Sequence, residues 1–459
     1  MRSIVGGVLC PRKPAVTQRD LTRVVWGGSH GVCVENDSQM PLKTLTPEAT
    51  QKTATRLRRF LAVFGPGLVV MLADTDVGSV ITAGQSGVQW GYRLLLLQVV
   101  LVPILFMVQE LTVRLAIFTG RGHGELIRDT FGPVWAWVSA IGLGVACVGA
   151  LLTEFSGVAG VGELYGVPRY ASLAVAAIAL LIVVVTGSYR RVERVAIAVG
   201  LFELAFFFVA WAAHPSMADL LRGAADIPYR NPDYLYLSAA NIGAVVMPWM
   251  VFYQQSAVAD KRLRPEHLSA ARWDTAIGAL ITQLIMAAVL IACAATIGRG
   301  NPNATLATVG DMAQALTPFL GSEMGNLVFG LGVLGAGMVA AIVVSLAFAW
   351  GLGEVTGYRR SLELHPFEAH WFYGVYAICV VFGAVVVAVW PNLVSLNVAV
   401  QVMNAFMLPV VLGFLIALAV KALPRAHRLK GAYLWLVAVV AAATCALGVF
   451  GGLSGAGLV

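Results

Sequence analysis

Charged residues are scarce in this chain. Only 12% of its 459 residues are Asp, Glu, Lys or Arg, whereas 59% are hydrophobic and the mean hydropathy is +0.80. A soluble domain normally carries about a quarter charged residues. The composition therefore excludes an ordinary soluble domain and indicates a protein that is embedded in a membrane.

The signatures of several enzyme and metal-protein classes are also missing. The chain contains no P-loop, no nucleophile elbow and no HExxH sequence. None of its six cysteines has CxxC or zinc-site spacing. We therefore predict that it is not an enzyme and not an ATP-driven pump, and that it has no cofactor and no disulfide framework.

Long apolar runs are what the sequence has in abundance. A helix needs about 20 apolar residues to cross the hydrocarbon core. The runs predict an all-α polytopic membrane protein with about eleven transmembrane helices. The candidate spans are residues 60–89, 92–118, 134–159, 170–187, 192–213, 234–258, 269–298, 326–357, 369–390, 394–420 and 432–453.

Basic residues are concentrated in every second loop between these runs, as in the group Arg190, Arg191 and Arg194. Such loops face the cytoplasm, which predicts a cytoplasmic N-terminus and, with an odd number of spans, an outside C-terminus. The net charge of +7 therefore reflects topology, and no nucleic-acid partner is predicted. The biased loops and the lack of a targeting peptide favour a plasma (inner) membrane protein.

Two of the runs contain features that interrupt a helix. The first has Asp74 and Asp76 inside an apolar stretch, and the sixth has Pro248 at its centre. Interrupted helices at matching positions of two halves indicate a transporter binding site near the midplane. We therefore predict an inverted five-plus-five repeat in which the breaks free backbone carbonyls that can bind a cation.

This arrangement divides the chain into three parts. Residues 1–55 are polar and without helical period, and we interpret them as a disordered tail or an artefact of the assigned start. Residues 56–422 form the predicted transporter core, with halves at about 56–214 and 234–422. Residues 423–459 form an extra C-terminal span.

A carboxylate at the middle of a membrane is functional by default, so Asp76 is the first candidate ligand. Asp74 is interpreted as a carboxylate beside the site or in a vestibule, and Thr75 lies between them on the permeation path. Met247 either packs or supplies a thioether, a ligand that favours softer ions. Gln401 either bonds another helix or gives the ion a neutral oxygen.

Four further residues carry open alternatives. Glu110 and Arg114 are spaced i, i+4 and form either a pair on one helix or a cytoplasmic gate element. Glu154 either relays charge along a wet path or makes a polar contact between helices. Gln255 is interpreted as a vestibule or boundary residue.

These residues lie in segments that resemble the NRAMP family of divalent metal transporters over residues 56–420. The first-span stretch GPGLVVMLADTDVGSVITAGQSG is similar to the helix that carries the signature DPGN, with Asp76 to Ser79 at that position. The sixth-span stretch GAVVMPWM resembles the second signature, MPHN. The resemblance implies the inverted-repeat fold of amino-acid and sodium symporters. The ligands it implies are Asp76, Met247, Gln401, Ser79 in the asparagine position, and the carbonyls of Ala73 and Ala244.

The departures from the family pattern point to a divergent branch. Val77 replaces the motif proline, Ser79 the asparagine and Trp249 the histidine linked to proton movement, while Glu154 stands where an aspartate is usual. Together they resemble the NRAMP-related magnesium transporters, although that branch is associated with loss of the methionine at Met247.

The resemblance and the residues lead to one functional expectation. We expect uptake of a divalent cation by alternating access, with Mg²⁺ favoured, Mn²⁺ and Fe²⁺ close behind, and weak or absent proton coupling. The alternatives are a proton-coupled Mn²⁺ or Fe²⁺ symporter and, more remotely, a cation-coupled organic-solute symporter. The expected partners are the metal ion and the lipid bilayer, and we expect a monomer.

Overall fold

The structure is a computed structural model that describes residues 65–186, 188–296, 306, 309–314, 321–390, 396–455 and 457–458. All regular secondary structure in this part of the chain is helical. The predicted tail, residues 1–55, lies outside the described residues. The boundaries proposed for the two halves and for the C-terminal part stay predictions.

Seventeen α-helices follow one another along the described segments. They are α1 (Pro66–Asp74), α2 (Val77–Trp90), α3 (Leu95–Thr119), α4 (His123–Phe131), α5 (Pro133–Leu164), α6 (Arg169–Val185), α7 (Tyr189–Gly200), α8 (Ala205–Ala212), α9 (Met217–Ala225), α10 (Pro232–Val245), α11 (Pro248–Asp260), α12 (Leu268–Ala295), α13 (Val309–Gln314), α14 (Ser322–Thr356), α15 (His370–Val389), α16 (Leu396–Lys421) and α17 (Gly431–Gly455). A 3₁₀ segment, Leu201–Leu204, joins α7 to α8, and another, Pro265–His267, precedes α12.

The described helices include eleven spans, and each corresponds to one predicted apolar run. Nine stretches are long and apolar enough to cross a membrane, and the bent pair α1 and α2 makes a tenth. Helix α6 is also apolar, although it has only 17 residues. With α6 counted as a span, the total is eleven. The predicted count is therefore confirmed, while the short helices α4, α9 and α13 in the connections were not predicted.

The two predicted interruptions are both present, but they differ in shape. The first span bends by 48° between α1 and α2. The sixth span is interrupted at Val246 and Met247, between α10 and α11, but Pro232–Asp260 counts as one membrane-length stretch without a bend above 40°. The first break therefore bends its span more than the second.

The tenth span packs closely on both broken spans. Helix α16 contacts α10 and α2, and at Gly243 an added Cβ would lie 1.9 Å from the carbonyl oxygen of Gln401. Only glycine permits this approach of the two backbones. The contact brings the helix that carries Gln401 directly against the sixth-span break.

A side chain from the seventh span caps the start of α1. Asp274 accepts hydrogen bonds from the backbone N–H groups of Gly65 (3.1 Å), Gly67 (2.7 Å) and Leu68 (3.2 Å). The first turn of a helix leaves its N–H groups without intrahelical partners, and α1 has no side-chain cap of its own. The carboxylate therefore fixes where the first half-helix begins.

We predict that Asp274→Ala lowers the free energy of unfolding by about 2 kcal/mol, because it leaves three N–H groups, two of them buried, without acceptors. Asp274→Asn keeps one acceptor oxygen and should lose less. The thermal unfolding midpoint of the purified protein in detergent measures both effects. Asp233→Ala, at an exposed position in the first turn of α10, is the matched control and should change little. An unaltered midpoint in Asp274→Ala would contradict the role of the cap.

Candidate metal site

Asp76 begins the second half-helix of the first span. Its Oδ1 accepts a hydrogen bond from the backbone N–H of Ser79 (2.6 Å), and the Nε2 of Gln401 lies 3.5 Å away. The other oxygen, Oδ2, is buried without a hydrogen-bond partner. Asp76 thus acts as the N-cap of α2 while one carboxylate oxygen remains available for a ligand.

The first break frees a backbone carbonyl because a distant glutamate takes its donor. In a continuous helix the N–H of Val77 would bond to the carbonyl of Ala73. Here it donates to Oε2 of Glu154 at 3.1 Å. Glu154 therefore makes the polar contact between helices that was one of its two predicted roles, and the Ala73 carbonyl lacks its helical partner.

The sixth break frees a carbonyl for a different reason. The residue four positions after Ala244 is Pro248, which has no N–H to donate. The hydroxyl of Ser79 donates to the Ala244 carbonyl instead, at 3.1 Å. The two carbonyls expected from the family resemblance are thus among those that lose their helical donors, and Ser79 links the two breaks.

The amide of Gln401 is held between two polar side chains. Asn404, one turn further along α16, donates from Nδ2 to Oε1 of Gln401 at 3.0 Å. At Gly78 an added Cβ would lie 2.4 Å from Nε2 of Gln401, so a larger residue there would displace this amide. Because Nε2 of Gln401 faces Asp76, the amide would have to turn for Oε1 to bind a cation at Asp76. Asn404 is a residue that the sequence analysis missed.

Met247 and Trp249 lie at the start of α11 inside the protein. Met247 is the N-cap residue of α11 with an extended backbone, and both side chains are 0% exposed. The indole N–H of Trp249 has no hydrogen-bond partner. The structure therefore brings Met247 to the second break, beside a tryptophan that cannot exchange a proton near neutral pH.

The site is closed to both sides of the membrane. Each of the candidate residues at or near the breaks is at most 1% exposed: Ala73, Asp74, Thr75, Asp76, Ser79, Glu154, Ala244, Met247, Trp249 and Gln401. Asp74 therefore does not line an open vestibule. An ion can reach these atoms only after part of the bundle moves.

Two predicted groups lie away from the breaks. Glu110 and Arg114 form the expected i, i+4 pair, with a shortest distance of 2.8 Å. Arg272 of α12 also binds Glu110 (2.6 Å), which the sequence analysis missed. The pair therefore connects the second and seventh spans, and its role as a gate stays a prediction.

Gln255 connects α11 to the loop and short helix after the second span. Its Oε1 lies 3.0 Å from Nδ1 of His123, and its Nε2 donates to the carbonyl of Arg121 (3.0 Å). These contacts involve the segment around α4, not the residues at the breaks. Gln255 is therefore not a neighbour of the candidate ligands.

The donor set differs from that of a resident metal centre. Within the described residues no group of three or more His, Cys, Asp and Glu side chains could hold a metal ion. The breaks instead combine one capping carboxylate, one thioether, an amide, a hydroxyl and two carbonyls. Such a mixed set suits an ion that is carried and released.

Comparison with known proteins identifies the family. Residues 67–454 match the family model described as natural resistance-associated macrophage protein-like. The chain belongs to the NRAMP family. The resemblance seen in the two helix-break motifs is thereby confirmed.

Curated relatives share a similar level of identity. A divalent metal cation transporter, MntH, of Agrobacterium fabrum is 29% identical over 64% of this chain and 66% of its own length. The MntH of Brucella suis biovar 1 is 28% identical over 72% of this chain and 73% of its own. The match thus spans about two thirds of the first relative and somewhat more of the second.

Solved structures give the fold. The structure of an Eremococcus coleocola manganese transporter superposes with a TM-score of 0.71 at 19% identity, over 90% of both chains. MhsT in complex with L-phenylalanine superposes with a TM-score of 0.57 at 13% identity, over 85% of this chain and 98% of that one. The inverted-repeat fold class predicted from the two breaks is therefore confirmed.

The burial of His123 has a consequence for acid stability. His123 lies in α4, outside the membrane-spanning segments, and burial lowers its pKa to about 4 from 6.5. The folded protein therefore loses stability as the pH falls from 6.5 towards 4, because the unfolded chain binds the proton first. We predict that the wild-type protein loses about 2 kcal/mol relative to His123→Gln between pH 7 and pH 5.

Thermal unfolding midpoints of both proteins across this range, in one detergent, measure the difference. His370→Gln, at an exposed histidine, is the matched control and should follow the wild type. Parallel pH curves for the wild type and His123→Gln would show that His123 is not held neutral by burial.

Proposed function

We propose that this chain transports divalent metal cations by alternating access. The observation that carries the proposal is the pair of interrupted helices, at which Asp76 keeps one buried oxygen free while two carbonyls lose their helical donors. A buried, unpaired carboxylate strongly favours a cation beside it. The family and the description of the MntH relatives as divalent metal cation transporters support the same substrate class.

The proposed ligands are Asp76, Met247 and Gln401, with the hydroxyl of Ser79 and the carbonyls of Ala73 and Ala244. A bound cation would compete with the hydroxyl of Ser79 for the Ala244 carbonyl and with Asn404 for the Gln401 oxygen. Binding would therefore replace contacts between helices by contacts to the ion. This replacement would change the relative stability of the closed and open conformations of the protein.

For the ion itself we propose Mg²⁺ first, with Mn²⁺ and Fe²⁺ next. All but one of the proposed donors are oxygen atoms, which suit hard cations, and Ser79 is short enough to leave room for a retained water. Met247 acts in the opposite direction, because a thioether favours softer ions. The balance between these donors sets the selectivity.

Weak or absent proton coupling is the second part of the proposal. Trp249 occupies the position of the family's histidine and has no titratable group, and Oε2 of Glu154 already accepts a hydrogen bond from the backbone N–H of Val77. Uptake can then be driven by the membrane potential, which contributes about 4.6 kcal/mol per 100 mV for a divalent ion.

The basic loops support a plasma-membrane orientation with a cytoplasmic N-terminus.

A proton-coupled Mn²⁺ or Fe²⁺ symporter is the second candidate function. Two observations favour it: Met247 is retained at the break, and one structural neighbour is described as a manganese transporter. It differs from the first candidate in two measurable ways, ion preference and acidification during uptake.

We predict that Asp76→Ala abolishes divalent cation uptake into liposomes, at least a tenfold loss, because the ion loses its main charge partner at a buried site. Influx of Mg²⁺, Mn²⁺ and Ca²⁺ is recorded together with internal pH. Glu163→Gln, at an exposed surface pair, is the control and should transport normally. Full uptake by Asp76→Ala would overturn the proposed site. Acidification of the liposome interior during metal influx through the wild-type protein would favour the proton-coupled symporter.

Met247→Ala should raise the ratio of Mg²⁺ to Mn²⁺ transport about five- to tenfold, because it removes the only soft donor. The ratio is measured by competition between the two ions in the same liposomes. Met250→Ala, a buried methionine outside the proposed ligand set, controls for loss of packing. An unchanged ratio in Met247→Ala would return this residue to a packing role.

A further inference from the structure

A second group of buried polar side chains adjoins the first break. Asp74 ends α1, Thr75 connects it to Asp76, and Glu203 lies in the 3₁₀ segment within the fifth span. Asp74, Thr75 and Glu203 are 1%, 0% and 0% exposed. None of the three takes part in the hydrogen bonds around Asp76, Ser79 and Gln401.

The side-chain oxygens of these three residues lack hydrogen-bond partners. The two carboxylates and the hydroxyl supply five oxygen atoms, and none makes a hydrogen bond of normal geometry. The hydroxyl of Thr75 nevertheless lies beside the carboxylate of Glu203. Buried carboxylates without partners carry a penalty of several kcal/mol each. The cluster therefore lacks something that would satisfy it.

The electrostatic surroundings make the deficit larger. Glu203 is within electrostatic reach of Asp74, Asp76 and Glu154, so four carboxylates share the neighbourhood of one helix break. Carboxyl groups this close repel one another in the ionised form, and a cation among them would reduce that repulsion.

Close packing specifies where Glu203 lies. At Gly200 an added Cβ would come within 2.7 Å of Leu72 in α1, and at Gly335 it would come within 2.8 Å of the Val199 carbonyl. The fifth span is thus pressed against α1 and α14 immediately before Glu203. A 3₁₀ segment in the middle of a span often marks a functional position. The sequence analysis missed Glu203, although a lone glutamate in the apolar run LFELAFFF is a signal for a functional residue in a membrane span.

We propose that Asp74, Thr75 and Glu203 bind a second cation, distinct from the ion at Asp76. Carboxylate and hydroxyl oxygens suit a hard cation, such as Mg²⁺, Mn²⁺ or Na⁺, and not a soft one. The proposal rests on the proposed function in one respect, namely that cations enter the space around the breaks. It uses different oxygen atoms, on the side of the break that faces the fifth span.

The number of bound ions tests the proposal directly. Equilibrium dialysis of the full chain in detergent against Mn²⁺, in a choline buffer without Na⁺, should give two ions per chain. Glu203→Gln should bind one ion, since it removes one of two carboxylates from the second site. Asp76→Asn should also bind one, and the double variant none. Glu163→Gln is the matched surface control and should keep two.

A second pair of variants covers the case in which Glu203→Gln does not fold. Thr75→Val removes one neutral ligand without changing shape or charge, and should weaken the second binding step about five- to tenfold. Thr75→Ser keeps the hydroxyl and should bind as the wild type does. Equal affinities in both variants would contradict a ligand role for Thr75.

The outcomes separate this proposal from the transport proposal. One Mn²⁺ per wild-type chain in both choline and Na⁺ buffers, with no loss in Glu203→Gln, would overturn the second site while leaving transport intact. Two ions in choline but one in Na⁺ would support the site and assign it to Na⁺. Liposomes that take up no divalent ion, together with no Mn²⁺ binding, would overturn the transport proposal itself.

Discussion

The need to satisfy backbone groups in a medium without water governs this structure. A helix that crosses a membrane normally pairs every N–H with a carbonyl of its own. The chain departs from that rule at its two helix breaks, once because Glu154 takes the N–H of Val77 and once because Pro248 has none. Each departure leaves a carbonyl oxygen inside the protein, and the arrangement of the spans follows from the need to enclose both.

The first break also places several carboxyl groups inside the protein. Asp76, Asp74, Glu154 and Glu203 are all almost inaccessible to solvent, and the low dielectric of the interior makes unpaired carboxylates expensive. Asp76 and Glu154 reduce that penalty by accepting hydrogen bonds from the backbone at the start of α2. Asp74 and Glu203 have no comparable relief. The first break therefore joins two half-helices and also gathers buried carboxyl groups.

The contacts that close the site are the same ones that an ion would exchange. Ser79 bridges the two breaks by its bond to the Ala244 carbonyl, and Gln401 is shared between Asp76 and Asn404. Glycines at positions 78 and 243 let the tenth span approach both broken spans. In the proposed mechanism, binding of a cation would therefore be coupled to the movement of helices through these few polar contacts.

The sequence by itself determined the membrane class, the eleven spans and the positions of both breaks, because apolar run length, a mid-membrane aspartate and a central proline are local features. It also indicated Asp76 and, through the family motifs, Ser79, Met247 and Gln401. Only the tertiary structure decided the partners of Glu154 and Gln255, the cap that Asp274 provides, the position of Glu203 beside Asp74, and the straighter course of the sixth span. Those facts depend on which helices touch, and side chains separated by up to hundreds of residues meet for reasons that no local pattern contains.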